Sequence, residues 1–285
     1  MNTNSFVKDL ATAILNHNPG IVFRALEIGA LQVGHVENFH QILEYFPGSE
    51  IIGFEVEKNL CEDMNAKAKE GIKYFPHALW SKRENRVFYE TNHPMCCSLY
   101  KPNEKLLRLF NDFEVSYLKG ETRIDTIDID SFLTENSIGP IDFIKIDVEG
   151  AELDIFEGGK KTLKNVAFIV SEAEFIEHHE GQPLFGDLCK FLSTYDFMFH
   201  KFLNVGGRSL RSFNKNTDFK FASQMVWADV VFISDILKIK ELTSDQLLKV
   251  SFLATLYEST DLTYFCLDQH DKLFLTNFSE TFQPM

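Results

Sequence analysis

The sequence predicts a doubly wound α/β domain, and three observations carry that prediction. Ile141, Phe143, Ile144, Ile146 and Val148 make the short apolar run of a strand buried on both faces. Gly150 breaks the run, and Leu153, Ile155 and Phe156 then fall at helical spacing. Residues 21–75 read as strand, helix, strand, helix, strand, the pattern of parallel crossovers. Asp147 and Glu149 therefore stand where a parallel strand ends. In open α/β sheets ligands bind beyond that edge, near the point where strand order reverses.

Phe6, Leu10, Ile14 and Leu15 predict an N-terminal helix within residues 1–20, stopped by Asn18-Pro19-Gly20. IVFRALEIG is a first strand closing at Glu27 and Gly29. Val36–Tyr45 has helical spacing, Ile51–Glu55 is a second strand, Leu60–Lys69 a helix, and Ile72–Phe75 a third strand. Residues 81–123 are less regular, with a short strand at Arg86–Tyr89 and a loop at His93–Asn103. Beyond the 141–157 block, Val166–Val170 is a buried strand ending at Ser171 and Glu172. Phe185–Leu192 is helical, and Phe197–Phe202 and Val226–Ile233 are strands, the latter an antiparallel edge. Residues 204–223 read as a loop over one rim. From Leu237 the pattern is helical and then irregular after Thr260. The expected organisation is an N-terminal helix (1–20), one catalytic domain (21–235) and a helical extension (236–285).

A net charge of −14, from 42 acids against 28 basic residues, argues against the basic footprint of a nucleic-acid binder. The five cysteines are scattered and form no CxxC, as expected of reduced thiols. The first residues lack the basic start and apolar core of a signal peptide, and no run is long enough for a membrane helix. A cytoplasmic protein with no membrane span is the expectation.

The strand ends point to a ligand class. Gly29 after the first strand lets a ligand approach the backbone. Glu55, ending the second, is placed to accept both hydroxyls of a ribose. A dinucleotide fingerprint needs GxGxxG, and here only Gly29 and Gly34 flank Ala-Leu-Gln-Val. Glu27 would repel a pyrophosphate yet suits the cationic amino group of S-adenosylmethionine. There is no Tyr-x-x-x-Lys pair for a short-chain dehydrogenase. The residues favour a methyl donor over a nicotinamide, which ranks third among the readings. A tight turn with a surface acid is the plain alternative for this loop.

The run IDFIKIDVEGAELDIFEGG, with the preceding TIDIDSFL and the later SEAEF, resembles the FkbM family of S-adenosylmethionine-dependent methyltransferases. The family's Ile-Lys-Ile-Asp-Val-Glu-Gly-Ala-Glu on its fourth strand is matched by Ile144–Glu152, and its fifth-strand acid by Glu172. Glu55, Ala78-Leu79, Ser98-Leu99 and the closing strand with Asp229 match further positions, so the likeness spans about residues 22–234. It departs in the first loop, where Leu31-Gln32 replace a polar pair and Gly34 falls one residue late. Val56 stands where proline is common.

The resemblance implies a Rossmann-like class I methyltransferase fold: a seven-stranded, mostly parallel sheet with one antiparallel strand and helices on both faces. It implies S-adenosylmethionine as cofactor and transfer to oxygen, a hydroxyl on a sugar, glycan or glycosylated metabolite. A catalytically silent relative that binds a nucleoside or a protein partner is the alternative, which the altered first loop favours. Expected donor-binding residues are Glu27, Gly29, Gly34, Glu55, Val56, Ala78, Leu79 and Asp147. Expected catalytic residues are Asp147 at the reacting centre, with Glu149 and Glu172 for acceptor binding or base work. Nothing in the spacing demands a metal, so none is expected.

Plainer roles compete at several positions. Acids favour helix N-termini, so Glu149 is also read as a cap and Glu152 as a solvated first-turn acid. Lys145 is read as pairing with a carboxylate. His178-His179 is read as a surface pair before a base, with His77 and His93 near the pocket. Arg208, Arg211 and Lys215 are candidates to receive an anionic acceptor, or solvated loop residues.

Overall fold

The computed structural model describes residues 3–31, 37–212 and 222–282. Its main sheet has seven strands: β1 (Arg24–Ile28), β2 (Glu50–Phe54), β3 (Ile72–Phe75), β7 (Phe143–Ile146), β8 (Phe168–Glu174), β9 (Phe197–Arg208) and β10 (Gln224–Ser234). They lie in the order β3-β2-β1-β7-β8-β10-β9. Every pairing from β3 to β8 is parallel, and β10 runs antiparallel to both its neighbours. Because β1 pairs with β2 on one side and β7 on the other, strand order reverses between β1 and β7. That is where the carboxyl edge opens a crevice.

Side chains alternate across a strand with a period of two, so each inner strand feeds two cores. Ala25, Phe143, Phe168, Val170, Val231 and Ile233 point to one face. Leu26, Ile144, Ile146, Ile169, Val230 and Phe232 point to the other. The second face is covered by α5 (Ile129–Glu135), α6 (Glu152–Glu157) and α7 (Phe185–Ser193). The first is covered by α1 (Thr3–His17), α8 (Ser244–Leu256) and α9 (Thr260–Phe274). Segments that the sequence set apart as a leading helix and a trailing extension thus complete one core. Phe252 of α8 packs its ring 4.8 Å from Phe46, which lies 4.7 Å from Phe23. Residues past Thr260, read as irregular, form the 15-residue helix α9.

Four further differences bear on the site. The strand expected over Ile141–Val148 pairs only at Phe143–Ile146, so Asp147–Glu149 leave the sheet as a turn. The strand expected to stop at Glu172 continues to Glu174, because antiparallel pairing with β10 carries on through Trp227↔Glu174. The helix expected at Val36–Tyr45 is a 3-10 turn at Asn38–Gln41 followed by α2 (Ile42–Tyr45), with Val36 outside the described residues. The segment read as irregular builds a second sheet, β4 (Ala78–Leu79), β6 (Leu118–Ile127) and β5 (Asn85–Thr91), in the order β4-β6-β5. Between β2 and β3 lies α3 (Lys58–Lys67), whose N-cap Glu57 accepts from the backbone of Asn59 and Leu60. The remaining short helices are α4 (Glu104–Leu107) and α10 (Phe278–Thr281). Among the described residues no helix is long and apolar enough to cross a membrane.

Candidate active site

A cleft of about 1040 Å³ opens over the carboxyl ends of β1, β2, β7 and β8, walled on its far side by the small sheet. Its lining includes Gly29, Glu55, Val56, Ala78 and Leu79 together with Asp147, Glu149, Glu172 and Asp229. Phe88 and Ile124 of the small sheet face them.

The floor at the strand crossing is backbone against backbone. Gly29 has a φ of +78°, a conformation open to glycine. Asp147 N–H donates to the Ile28 carbonyl at 3.0 Å, continuing the β1–β7 ladder one residue past the strand. On the second strand, Glu55 turns back so that its Oε1 accepts from Glu57 N–H at 3.0 Å. Burial raises its carboxyl above the ordinary value, and the backbone N–H groups of Glu57 and Val56 oppose that shift.

The turn from β7 to α6 presents the acids. Glu149 is left-handed (φ 58°) and Gly150 follows at 101°. A non-glycine residue in that region is strained unless its surroundings hold it. Ser98 Oγ holds it by donating to the Glu149 carbonyl at 2.7 Å. Glu152 Oε1 accepts from the N–H groups of Val148 and Gly150 at 2.9 and 3.4 Å. Glu152 is therefore no solvated helix acid. It is buried and ties the turn, and burial pushes its carboxyl up to about 7 against the opposing Val148 N–H. Glu149 does not cap α6, whose N-cap is Ala151 with no side-chain cap.

Carboxylates crowd this rim. Burial, then Asp147 and Glu152, holds Glu149 well above the usual range. Burial, then Asp147 and Glu149, does the same to Glu172. Lys145, buried on β7, lies 3.3 Å from Asp147 Oδ2 and 3.3 Å from Asp229 Oδ1, the pairing expected of it. Burial opposes its charge, but the two aspartates outweigh burial and raise its pKa.

Of the residues expected at the site, Gly29, Glu55, Val56, Ala78, Leu79, Asp147, Glu149 and Glu172 all line the cleft. Gly34 and Lys215 lie outside the described residues. Glu27 is not on the cleft wall: it is 1% exposed, and both its carboxylate oxygens lie 3.2 Å from His40 Nε2. Its carboxylate turns to His40 and Tyr74, and Glu27 is not among the described residues that line the cleft. His178 and His179 are buried rather than a surface pair, because the chain after β8 pairs with the Lys101–Asn103 segment. Burial lowers them to about 3 and about 4, which leaves His178, on the cleft wall, a poor base. Of the basic candidates, Arg208 ends β9 on the cleft wall with its guanidinium 4.5 Å from the Trp227 ring. Arg211 is engaged with Glu114 and the Phe110 carbonyl. His77 and His93 also reach the wall. Sequence reasoning missed Asp229 as a wall residue and missed the small sheet, since neither has a local signature.

The strand order, its antiparallel last pair and a ligand cleft at the β1/β7 switch point define a methyltransferase of the class I α/β type. Residues 27–199 match the methyltransferase FkbM domain, and the chain belongs to that family. Over 79 residues it is 40% identical to the 2-O-methyltransferase NoeI of Sinorhizobium fredii (strain NBRC 101917 / NGR234). That stretch is 28% of this chain and 32% of the relative, so the match spans about a third of NoeI. A crystallised SAM-dependent methyltransferase from Aquifex aeolicus is a looser likeness, with 9% identity and a TM-score of 0.29 over 81% of this chain and 93% of its own. The methyl donor is S-adenosylmethionine. The site fits it: Glu55 stands inside the cleft where ribose hydroxyls need an acceptor, and the acid-lined rim suits a sulfonium.

Proposed function

We propose that this chain transfers a methyl group from S-adenosylmethionine to a hydroxyl oxygen on a sugar, glycan or glycosylated metabolite. The observation that carries the reading is the convergence of Asp147, Glu149 and Glu172 on the same cleft as Gly29, Glu55, Val56, Ala78 and Leu79. The name of NoeI, a 2-O-methyltransferase, supports an oxygen acceptor.

When bound, the donor supplies a methyl carbon on a positively charged sulfur. The chain must hold an acceptor oxygen in line with that carbon and take up the hydroxyl proton. Alignment contributes several kcal/mol of such a barrier. In this reading Gly29, Val56, Ala78 and Leu79 shape the donor wall, and Glu55 accepts from the ribose hydroxyls. Glu27 supports that wall through His40 without touching the donor. Asp147, steadied by Lys145, sits between donor and acceptor. Glu149 and Glu172 receive the acceptor hydroxyl by accepting its hydrogen bond. Arg208, beside them on the wall, suits an acceptor carrying negative charge.

Mass spectrometry of a panel of oligosaccharides incubated with the full chain and S-adenosylmethionine is the test. Gain of one methyl group at a hydroxyl is the expected result. Donor binding by calorimetry with no transfer to any sugar hydroxyl would overturn the acceptor, and would favour a silent relative.

A further inference from the structure

We propose that Glu149, Glu172 and Glu174 form a binding site for one hard divalent cation, of the Mg²⁺ or Mn²⁺ kind, at the inner end of the cleft. From the sequence an ion on Asp147, Glu149 and Glu172 is conceivable but nothing in the spacing demands one, and Glu174, 25 positions after Glu149, has no assigned role. The fold closes that gap. Glu172 and Glu174 are two apart on β8 and share a face. The left-handed backbone at Glu149 brings the β7–α6 turn over them. One carboxylate oxygen from each of the three lies within 4.8 Å of the others, a spacing a single cation can span.

Two independent observations ask for an occupant. Glu172 Oε2 and Glu174 Oε1 are buried and have no hydrogen-bond partner among the described residues. Glu174 is only 2% exposed, and burial with the neighbouring carboxylates raises it against the lowering influence of Gln182. A buried carboxylate oxygen left unsatisfied is costly, and such charges are normally paired or on a metal. Beside them lies a separate cavity of about 10 Å³, lined by Glu152, Glu172 and Glu174. That is close to the room one water or small ion occupies. Lys145 is paired with Asp147 and Asp229 at 3.3 Å each, and its charge reaches Glu172 only after those two.

Glu174 lies behind the cleft, whereas Glu149 and Glu172 are on its wall. An ion held by all three faces the cleft with part of its coordination sphere open. Mg²⁺ keeps several such positions for water or substrate oxygen. The structure thereby deepens the proposed function, on which this step rests: the two glutamates receive the acceptor hydroxyl through the ion. An acceptor with two neighbouring hydroxyls, as a sugar ring offers, fits best.

The cation is tested without the reaction, by titrating Mn²⁺ onto the full chain at neutral pH and following free Mn²⁺ by electron paramagnetic resonance. One Mn²⁺ per chain, displaced by Mg²⁺, is expected. Glu174→Gln should weaken it at least tenfold while calorimetric affinity for S-adenosylhomocysteine and the circular dichroism melt persist. Glu172→Gln provides a second reading should Glu174→Gln fail to fold. No Mn²⁺ bound by the wild type at millimolar concentration overturns the site and leaves protons as the neutralising species. Binding undiminished in both variants overturns it as well. Mn²⁺ bound without any sugar methylation keeps the site and removes the sugar acceptor instead.

Discussion

A Cβ on Gly29 would lie 1.8 Å from the carbonyl oxygen of Asp147. The end of β1 and the end of β7 therefore touch through backbone at the centre of the cleft, and Asp147 is placed by the absence of a side chain elsewhere. Gly29→Ala must push the two strands apart and also adopt a φ of +78°. We expect a loss of about 2–4 kcal/mol in chemical denaturation. Affinity for S-adenosylhomocysteine should fall with it, because the donor wall moves.

Asp147→Asn and Glu55→Ala should separate chemistry from donor binding. Glu55→Ala removes the acceptor proposed for ribose hydroxyls, and calorimetry with S-adenosylhomocysteine should show about 10- to 100-fold weaker binding. Asp147→Asn keeps its shape but takes away one of the two carboxylates beside Lys145. Turnover should drop at least 100-fold with donor affinity changed far less. Equal donor affinity and turnover losses in both variants would contradict this division.

The C-terminal helices α8 and α9, with α1, cover one face of the sheet. Phe252 is fully buried among Phe23, Phe46 and Tyr45. Phe252→Ala should cost about 3–5 kcal/mol by urea unfolding, as large-to-small changes in packed cores do. Ending the chain at residue 235 should give an insoluble or unfolded product, since α8 and α9 cover one whole face.

The buried histidines set an acid limit to stability. Burial lowers His179 to about 4, so between the ordinary value near 6.5 and that point the unfolded chain binds a proton that the folded chain refuses. Stability is then lost as pH falls through this window, by up to about 3 kcal/mol for this group, and is unaffected above it. His179→Asn keeps a donor toward Gln182 Oε1, which His179 Nδ1 approaches at 3.1 Å. Its denaturation curves should lose part of the decline between pH 6.5 and 4. The difference between variant and wild type isolates this group from the neighbouring carboxylates. An unchanged difference across that range would contradict a buried neutral His179.

Periodicity sufficed for the inner sheet. Ile144 and Ile146 on β7, and the β1, β2 and β3 runs, are uniformly apolar because both their faces are covered, and that composition is visible in sequence. Of the small sheet only Arg86–Tyr89 was legible: β5 and β6 are rich in polar residues such as Arg86, Glu90, Lys119 and Thr122, and they pair with each other across some 30 positions. Boundaries moved for a similar reason. β8 reaches Glu174 because β10, more than 50 positions later, extends the ladder.

For the site, local sequence alone determined the acids at strand ends, the glycine at the first turn and the methyl-donor chemistry they imply. These follow from residue type at or just past the apolar run of a strand, which is read locally. Only the tertiary structure decided that Glu152 is a buried tie, that Glu27 lies beneath the wall, and that Glu174 joins Glu149 and Glu172. Burial and through-space charge are properties of packed surfaces. They arise where distant segments meet, so no local pattern records them.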